Sequence, residues 1–193
     1  TNREAKYEIT VKANSATATY DGKEHEAVGV ETYEFTVEGN SYTVSGLSTE
    51  DPKQKDAGSY TNNITGTPVV TDKEGNVVTS EFEVKTENGS LEIGKAAVTL
   101  KSATLSKKYD GNALVNGDTA LEVESGFAEG EGATYNFTGS QTVVGSSANA
   151  FSYELNSNTN IDNYAISKQE GTLTVTNREA KYEITVKANS ATA

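Results

Sequence analysis

The sequence contains no cysteine, methionine or tryptophan, and it has a single histidine and two prolines among its 193 residues. Without cysteine the chain can form neither disulfides nor thiolate metal sites. The one histidine, His25, stands between two glutamates and lacks the partners that a Ser-His-Asp arrangement or a zinc site requires. We therefore expect an exposed loop histidine, no enzymatic activity and no cofactor of these kinds.

Positive charge is scarce as well: 16 Lys and Arg stand against 28 Asp and Glu, for a net charge of −12. This balance argues against nucleic acid and anionic membranes as partners. No apolar run is long enough to span a bilayer, so we expect no membrane insertion. Acidic pairs such as Glu50 with Asp51 leave Ca²⁺ open as a cofactor. Solvated turn acids are the favoured interpretation, because no D-x-D-x-D-G loop is present.

The two ends of the chain are identical. Residues 1–18 and residues 176–193 both read TNREAKYEITVKANSATA, at an offset of 175 residues. We infer a repeating unit of 175 residues in a longer array. A near-perfect repeat at domain scale is typical of a modular filament or stalk.

The unit contains a second, weaker repeat. Tyr20-Asp21-Gly22 recurs 89 residues later as Tyr109-Asp110-Gly111, and Thr10-Val11-Lys12 recurs as Thr99-Leu100-Lys101. Similar matches follow, among them Phe82 with Tyr164 and Leu91 with Leu173. We predict four pieces: a tail of a preceding module (1–4), a first β module (5–94), a second β module (95–180) and the truncated first strand of the next repeat (181–193).

Strand patterns are frequent in both modules. Tyr7, Ile9 and Val11 alternate with polar residues, which predicts a strand with one apolar face. Gly- and Asn-containing turn signals recur at the spacing of a β-sandwich or barrel. The first module also carries extra residues, in which two Val-Val-Thr arms flank a polar tip. We predict that residues 67–79 form an added hairpin.

One local motif narrows the fold. Asp56-Ala57-Gly58-Ser59-Tyr60 has the D-x-G-x-Y form of a tyrosine corner, in which the Tyr hydroxyl bonds back to nearby backbone. The second module has Asn149 and Tyr153 at what we take to be the matching positions. We predict an all-β chain of two tandem, immunoglobulin-like β-sandwich modules in an elongated, end-to-end arrangement. The alternative is a β-grasp-like, mostly-β module.

Two sets of recurring residues invite chemical interpretations. Asp21 and Asp110 fit either a cation site or, as we favour, the tight turn that Asp-Gly makes. Lys12, Lys101 and Lys187 recur in the first strand and suggest an isopeptide crosslink. Strand alternation, however, places Lys12 opposite the apolar face, so a surface lysine is the favoured interpretation.

A ligand surface is a further hypothesis. Tyr33 and Phe35, in the middle of the first module, could form a surface that contacts a ligand, together with Asp72, Lys73 and Glu74 of the added hairpin. The competing interpretation is that Tyr and Phe at strand spacing belong to the core.

Three segments resemble a known family. VTLKSATLSKKYDGNAL, FAEGEGATYNFTGSQTVVGSS and NYAISKQEGTLTV are similar to the YDG/MBG-type repeats of large bacterial, mainly Gram-positive, surface proteins. The resemblance implies an all-β repeat, an extracellular location on the bacterial surface, in a cell-wall-anchored or secreted protein, and a spacer or adhesive role. It supplies no catalytic residues. The absence of cysteine suits such a protein.

We therefore expect a monomeric stalk repeat of a surface adhesin, which projects a distal binding domain and has neighbouring repeats of the same chain as its partners. The alternative is an adhesive repeat that binds host glycan, mucin or matrix protein through multivalency.

Overall fold

The computed structural model describes residues 5–118, 120–179 and 183–189. In these ranges the chain is all-β, as predicted, and its two helical elements are single 3-10 turns of three residues each. No helix in the described part of the chain could cross a membrane. The predicted tail 1–4 lies outside the described residues, as do residues 181, 182 and 190–193 of the predicted truncated strand.

The first ten strands and the first 3-10 turn follow one another up to residue 94. They are β1 (Tyr7–Lys12), β2 (Ala16–Thr19), β3 (His25–Glu26), β4 (Glu34–Val37), β5 (Asn40–Thr49), β6 (Lys53–Gln54), β7 (Gly58–Asn62), β8 (Ile64–Asp72), the 3-10 turn Thr79–Glu81, β9 (Phe82–Glu87) and β10 (Gly89–Gly94).

Ten more strands and the second 3-10 turn follow. They are β11 (Ala96–Lys101), β12 (Leu105–Lys108), β13 (Leu114–Val115), β14 (Val123–Ser125), β15 (Ala133–Phe137), β16 (Ser140–Gln141), β17 (Gly145–Ala148), β18 (Phe151–Leu155), the 3-10 turn Ile161–Asn163, β19 (Tyr164–Gln169) and β20 (Thr172–Thr176).

The chain forms two compact units. The first comprises Thr1–Ala97 together with Gly126–Glu131 and Asn158–Ala165. The second comprises Val98–Ser125, Gly132–Ser157 and Ile166–Ala193. The predicted modules were continuous in sequence, whereas the first unit also takes in two short segments from the second half of the chain. The side chains that hold these segments are described with the functional site.

The core of the first unit draws on two sheets. In one sheet β1 pairs with β9 in parallel, and in the other β5 lies between β4 and β8 with antiparallel neighbours. The buried side chains of this hydrophobic cluster are Ile9, Val11, Val44, Val70 and Phe82. The alternation predicted for β1 is confirmed, because Ile9 and Val11 are buried while Glu8 and Lys12 are exposed. Burying each such side chain contributes about 1.5–3 kcal/mol.

Both units repeat one ladder pattern. In the first, β10 lies between β2 and β7, and Leu91 stands opposite Tyr60. In the second, β20 lies between β12 and β17, and Leu173 stands opposite Ser147. The pairing of the last strand with the second strand is parallel in both units. Because Leu91 and Leu173 hold the same place in the two ladders, Tyr60 of the first unit corresponds to Ser147 of the second.

This correspondence confirms one part of the tyrosine-corner prediction and corrects the other. The Tyr60 hydroxyl donates to the backbone carbonyl of Asp56 at 3.0 Å, as predicted. The predicted counterpart is wrong: Tyr153 lies in β18 and pairs with β15, and Asn149 corresponds to Asn62. Counting along the sequence failed here because the loops that precede these strands differ in length between the two halves of the chain.

The segment predicted as an added hairpin, 67–79, contains one long arm and one short arm. Its first residues are the end of β8, which pairs with β5 over most of its length. The chain then turns, and the returning arm makes a single isolated bridge, between Thr71 and Val77, before the first 3-10 turn begins.

The described C-terminal residues, 183–189, form no strand. Ile184 is 85% exposed and Val186 is 90% exposed, whereas the identical repeat residues Ile9 and Val11 are buried in β1. The same sequence is thus packed where β9 stands beside it and solvent-exposed at the other end of the chain.

Candidate functional site

The single histidine takes part in a surface turn. His25 Nε2 lies 3.0 Å from the Asp21 carboxylate, and both side chains are partly exposed to solvent. Among the described residues, no group of three or more His, Cys, Asp or Glu side chains converges to hold a metal ion.

Both YDG turns use their aspartate to hold the backbone. Asp21 Oδ1 accepts the N–H of Lys23 at 2.9 Å, and Asp110 Oδ1 accepts the N–H of Asn112 at the same distance. The Lys23 N–H is the main cause of the lowered pKa of Asp21, and the Lys107 ammonium is the main cause for Asp110. The favoured interpretation, a turn-forming aspartate, is confirmed.

The recurring lysines lie on the surface. Lys12 Nζ is 3.0 Å from the Glu87 carboxylate, and Lys101 Nζ is 2.9 Å from that of Glu122. Both lysine side chains are well exposed, and Lys187 is exposed too. Such ion pairs contribute little to stability. The surface-lysine interpretation is confirmed for the two paired residues.

The five residues proposed to contact a ligand fall into two groups. Tyr33 and Phe35 are half-buried and pack against the core of the first unit. Asp72, Lys73 and Glu74 form the turn after β8. The Asp72 carboxylate accepts hydrogen bonds from the backbone N–H of Glu74 at 3.0 Å and from the backbone and side chain of Asn76 at 2.8 and 2.9 Å. These bonds, above all those from Asn76, lower the pKa of Asp72.

Two shallow grooves adjoin this turn. One, of about 390 Å³, is lined by Thr32, Glu34, Phe35, Thr36, Ser41, Tyr42, Thr43 and Lys73. The other, of about 300 Å³, is lined by Asn40, Ser41, Tyr42, Asp72, Lys73, Glu74, Val78 and Glu81. The structure therefore brings four of the five predicted residues to adjoining grooves and leaves Tyr33 in the supporting core. Tyr42 lines both grooves.

A buried aromatic cluster forms the best-defined polar site of the first unit. The rings of Tyr20 and Tyr164 meet edge to face with centroids 5.3 Å apart, and both are at least 96% buried. Both hydroxyls donate to the Glu131 carboxylate, at 2.5 Å and 2.8 Å. Burial is the main cause of the raised pKa of each tyrosine, and Glu131 adds to it.

A second set of bonds lies in the same unit. The buried side chain of Asn163 accepts the backbone N–H of Ala57 at 2.8 Å and donates to the Asp56 carboxylate at 2.9 Å. Each bond joins residues more than a hundred positions apart. We call Tyr20, Gly22, Asp56 and Ala57 the docking surface of the first unit, because these residues contact the segments 126–131 and 158–165.

This docking surface could not be recognised from the sequence. The sequence predicted only local roles around it: a tight turn at Asp21 and Gly22, and a tyrosine corner that includes Asp56. The available signal was the recurrence of YDG. A tyrosine that stands beside a turn in both modules suggests an apolar surface on which another segment can pack.

No protein-family model, curated protein or solved structure matches this chain.

Proposed function

We propose that the chain is a structural spacer, a stalk repeat that holds a distal domain away from the surface to which the whole protein is attached. Within this proposal each half of the 175-residue repeat is a small β-sandwich, and the halves follow one another in an elongated array. The resemblance to YDG/MBG-type repeats supports assigning the stalk to an extracellular bacterial adhesin.

The observation that carries this proposal is the absence of a linker. β10 ends at Gly94 and β11 begins at Ala96, so a single residue, Lys95, separates the last strand of one half from the first strand of the next. Flexible linkers need several residues rich in Gly, Ser or Pro to let neighbouring domains move apart. A chain that passes directly from strand to strand favours a stiff series of modules.

The segments 126–131 and 158–165 add to this argument. They belong to the second half of the repeat in sequence, yet they complete the compact unit that contains residues 20 and 56. The buried bonds of Glu131 and Asn163 oppose independent unfolding of the two halves. A stalk under mechanical load benefits from such coupling.

A display experiment tests the spacer function. Bacteria would carry one, two or four 175-residue units, each array ending in the same antigen-binding domain, and capture by antigen-coated beads would be counted. Capture should rise with array length, and a rigid unrelated spacer of equal length should replace the repeats without loss. Capture that is independent of length, or lost with the unrelated spacer, would contradict the proposal.

The two grooves beside Lys73 favour an adhesive repeat as a second candidate. Their linings combine an aromatic ring, Tyr42, with hydroxyl and charged groups, which is the chemistry of a glycan or peptide contact. Beads bearing many copies of the chain would be screened on glycan and matrix-protein arrays. Lys73→Ala should abolish retention if this surface binds, while Lys53→Ala, a comparably exposed lysine, should not.

A further inference from the structure

The two YDG turns share a sequence and a backbone conformation but differ in what covers them. Gly22 and Gly111 both have positive φ, +78° and +85°. A Cβ added to Gly22 would lie 3.2 Å from that of Ala128, whereas one added to Gly111 would have no atom of the described residues within 4 Å. Correspondingly, the adjacent Tyr20 is 4% exposed, whereas Tyr109 is only half-buried. The first turn is covered and its counterpart is open.

The strand ladders identify the rest of the open surface. β3 pairs with β6 at Gln54, and β13 pairs with β16 at Gln141, so these two glutamines correspond. Gly58 and Gly145 correspond as well, because each is the first residue of the strand that pairs with the last strand of its unit. With three residues between each glutamine and its glycine, the pair Val143–Val144 occupies the place of Asp56–Ala57.

These two valines are exposed. Val143 is 66% exposed and Val144 is 49% exposed, while Asp56 and Ala57 at the same place in the first unit are hydrogen-bonded to Asn163. Adjacent exposed valines are a cost to a soluble domain unless another surface covers them. We call Tyr109, Gly111, Val143 and Val144 the open docking surface.

The repeat specifies the segment that fits this surface. In the first unit the cover includes Asn163, the last residue of a 3-10 turn that leads into β19. The corresponding residue of a first-type unit is Glu81, at the end of the 3-10 turn that leads into β9. Residues 176–193 repeat residues 1–18, so the sequence after the second unit is the start of another first-type unit.

The chemistry of the two sides is complementary. Val77 precedes the 3-10 turn Thr79–Glu81 and is 69% exposed. Val77 and Val143 thus supply an exposed apolar side chain on each of the two sides. Glu81 carries a carboxylate where Asn163 carries the carboxamide oxygen that accepts a backbone N–H, so the acceptor is retained.

We propose that the open docking surface binds residues 77–81 of a following first-type unit in the same chain, as the docking surface of the first unit binds residues 158–165. The inference rests on the proposed stalk function. It names the contact that joins one 175-residue unit to the next. Every junction of the array is then held by a YDG turn and the loop before the last strands of the next unit.

Hydrogen exchange measured by mass spectrometry tests the contact. The 193-residue chain would be compared with the same chain extended at Ala193 by a second copy of residues 19–97, which supplies the continuous part of the next first-type unit, including its residues 77–81. Peptides covering 107–112 and 141–146 should exchange about tenfold more slowly, or slower still, in the extended chain. Equal exchange at both segments would overturn the proposal.

A double variant supplies the control. Val143→Asp with Val144→Asp should leave the thermal stability of the 193-residue chain unchanged, because both side chains are exposed there, and should restore fast exchange in the extended chain. Val28→Asp, at a similarly exposed valine of the first unit, should not. If exchange is equal and the maximum dimension from small-angle scattering grows in proportion to chain length, this contact alone is rejected. Equal exchange accompanied by a compact extended chain would reject the stalk as well.

Discussion

At the scale of single residues, two fully buried carboxamides hold corresponding places in the two units. Asn62 donates to the backbone carbonyl of Asn14 at 3.1 Å, and Asn149 donates to that of Ala103 at 2.9 Å. Asn62 also accepts the backbone N–H of Asp51 at 3.0 Å. Asn62 thereby ties β7 to the loops that contain Asn14 and Asp51.

Replacing Asn62 with alanine is expected to destabilise the first unit by about 2–4 kcal/mol, because the partners of its side chain stay buried without a hydrogen bond. Urea unfolding followed by circular dichroism measures the loss. Asn40→Ala is the matched control, since Asn40 is exposed at the start of β5, and it should change stability by less than about 0.5 kcal/mol. Equal effects of the two substitutions would show that the buried amide has no structural role.

Tyr20 provides a pH-dependent prediction. Its folded-state pKa is raised above the usual value of about 10, first by burial and then by its bond to Glu131. The stability it contributes is therefore complete below pH of about 10 and is lost as the pH rises toward the folded-state pKa.

The variant Tyr20→Phe lacks both the bond and the titration. At pH 8 it should be less stable than the parent chain by about 1–2 kcal/mol, and this difference should shrink above pH of about 10. Urea unfolding of both chains across this pH range measures the effect. A difference that stays constant with pH would contradict the role assigned to the hydroxyl.

At the scale of strands, both units depend on one close approach of backbones. A Cβ on Gly89, at the start of β10, would lie 2.2 Å from the carbonyl oxygen of Asn14. A Cβ on Gly171, just before β20, would lie 2.2 Å from that of Ala103. The last strands can pass the bend between the first two strands only where no side chain intervenes.

Gly89→Ala should therefore destabilise the first unit by about 2–4 kcal/mol, because backbone atoms must move to make room. Gly94→Ala in the same strand is the control. Its Cβ would lie 3.7 Å from its nearest neighbour, an ordinary contact, so its effect should stay within about 1 kcal/mol. Thermal unfolding measures both variants. A tolerated Gly89→Ala would mean that this approach can relax.

How far the sequence predicted these elements depends on the range of the interactions involved. β1 and β9 were predictable, because their two-residue alternation is a local signal. The match of Tyr60 with Tyr153 was wrong because it counted residues across loops of different length, and only the ladder reveals the register.

For the candidate sites too, roles that depend on near neighbours in sequence were predictable and roles that depend on distant residues were not. The turn roles of Asp21 and Asp110 were predictable from neighbours within two residues. The partners of Tyr20 were not, because Glu131 lies 111 positions away and no local pattern specifies it. For Tyr33 and Phe35 the sequence left core and surface as alternatives, and the structure places both against the core.

At the scale of the whole molecule, the proposed spacer function accounts for an acidic, cysteine-free repeat without a converging metal site among its described residues. A spacer needs modules that fold without disulfides, stay soluble and join without slack. The net charge of −12 opposes lateral association, and one residue, Lys95, separates β10 from β11. Identical units also allow an array to change length without a change of fold.

Small-angle X-ray scattering tests this account most directly. The chain would be compared with one that carries two complete 175-residue units. We expect the maximum dimension to nearly double while the cross-sectional radius of gyration stays the same. A compact longer chain, or a broad distribution of dimensions typical of flexible beads, would contradict the stalk and would leave adhesion as the function to pursue.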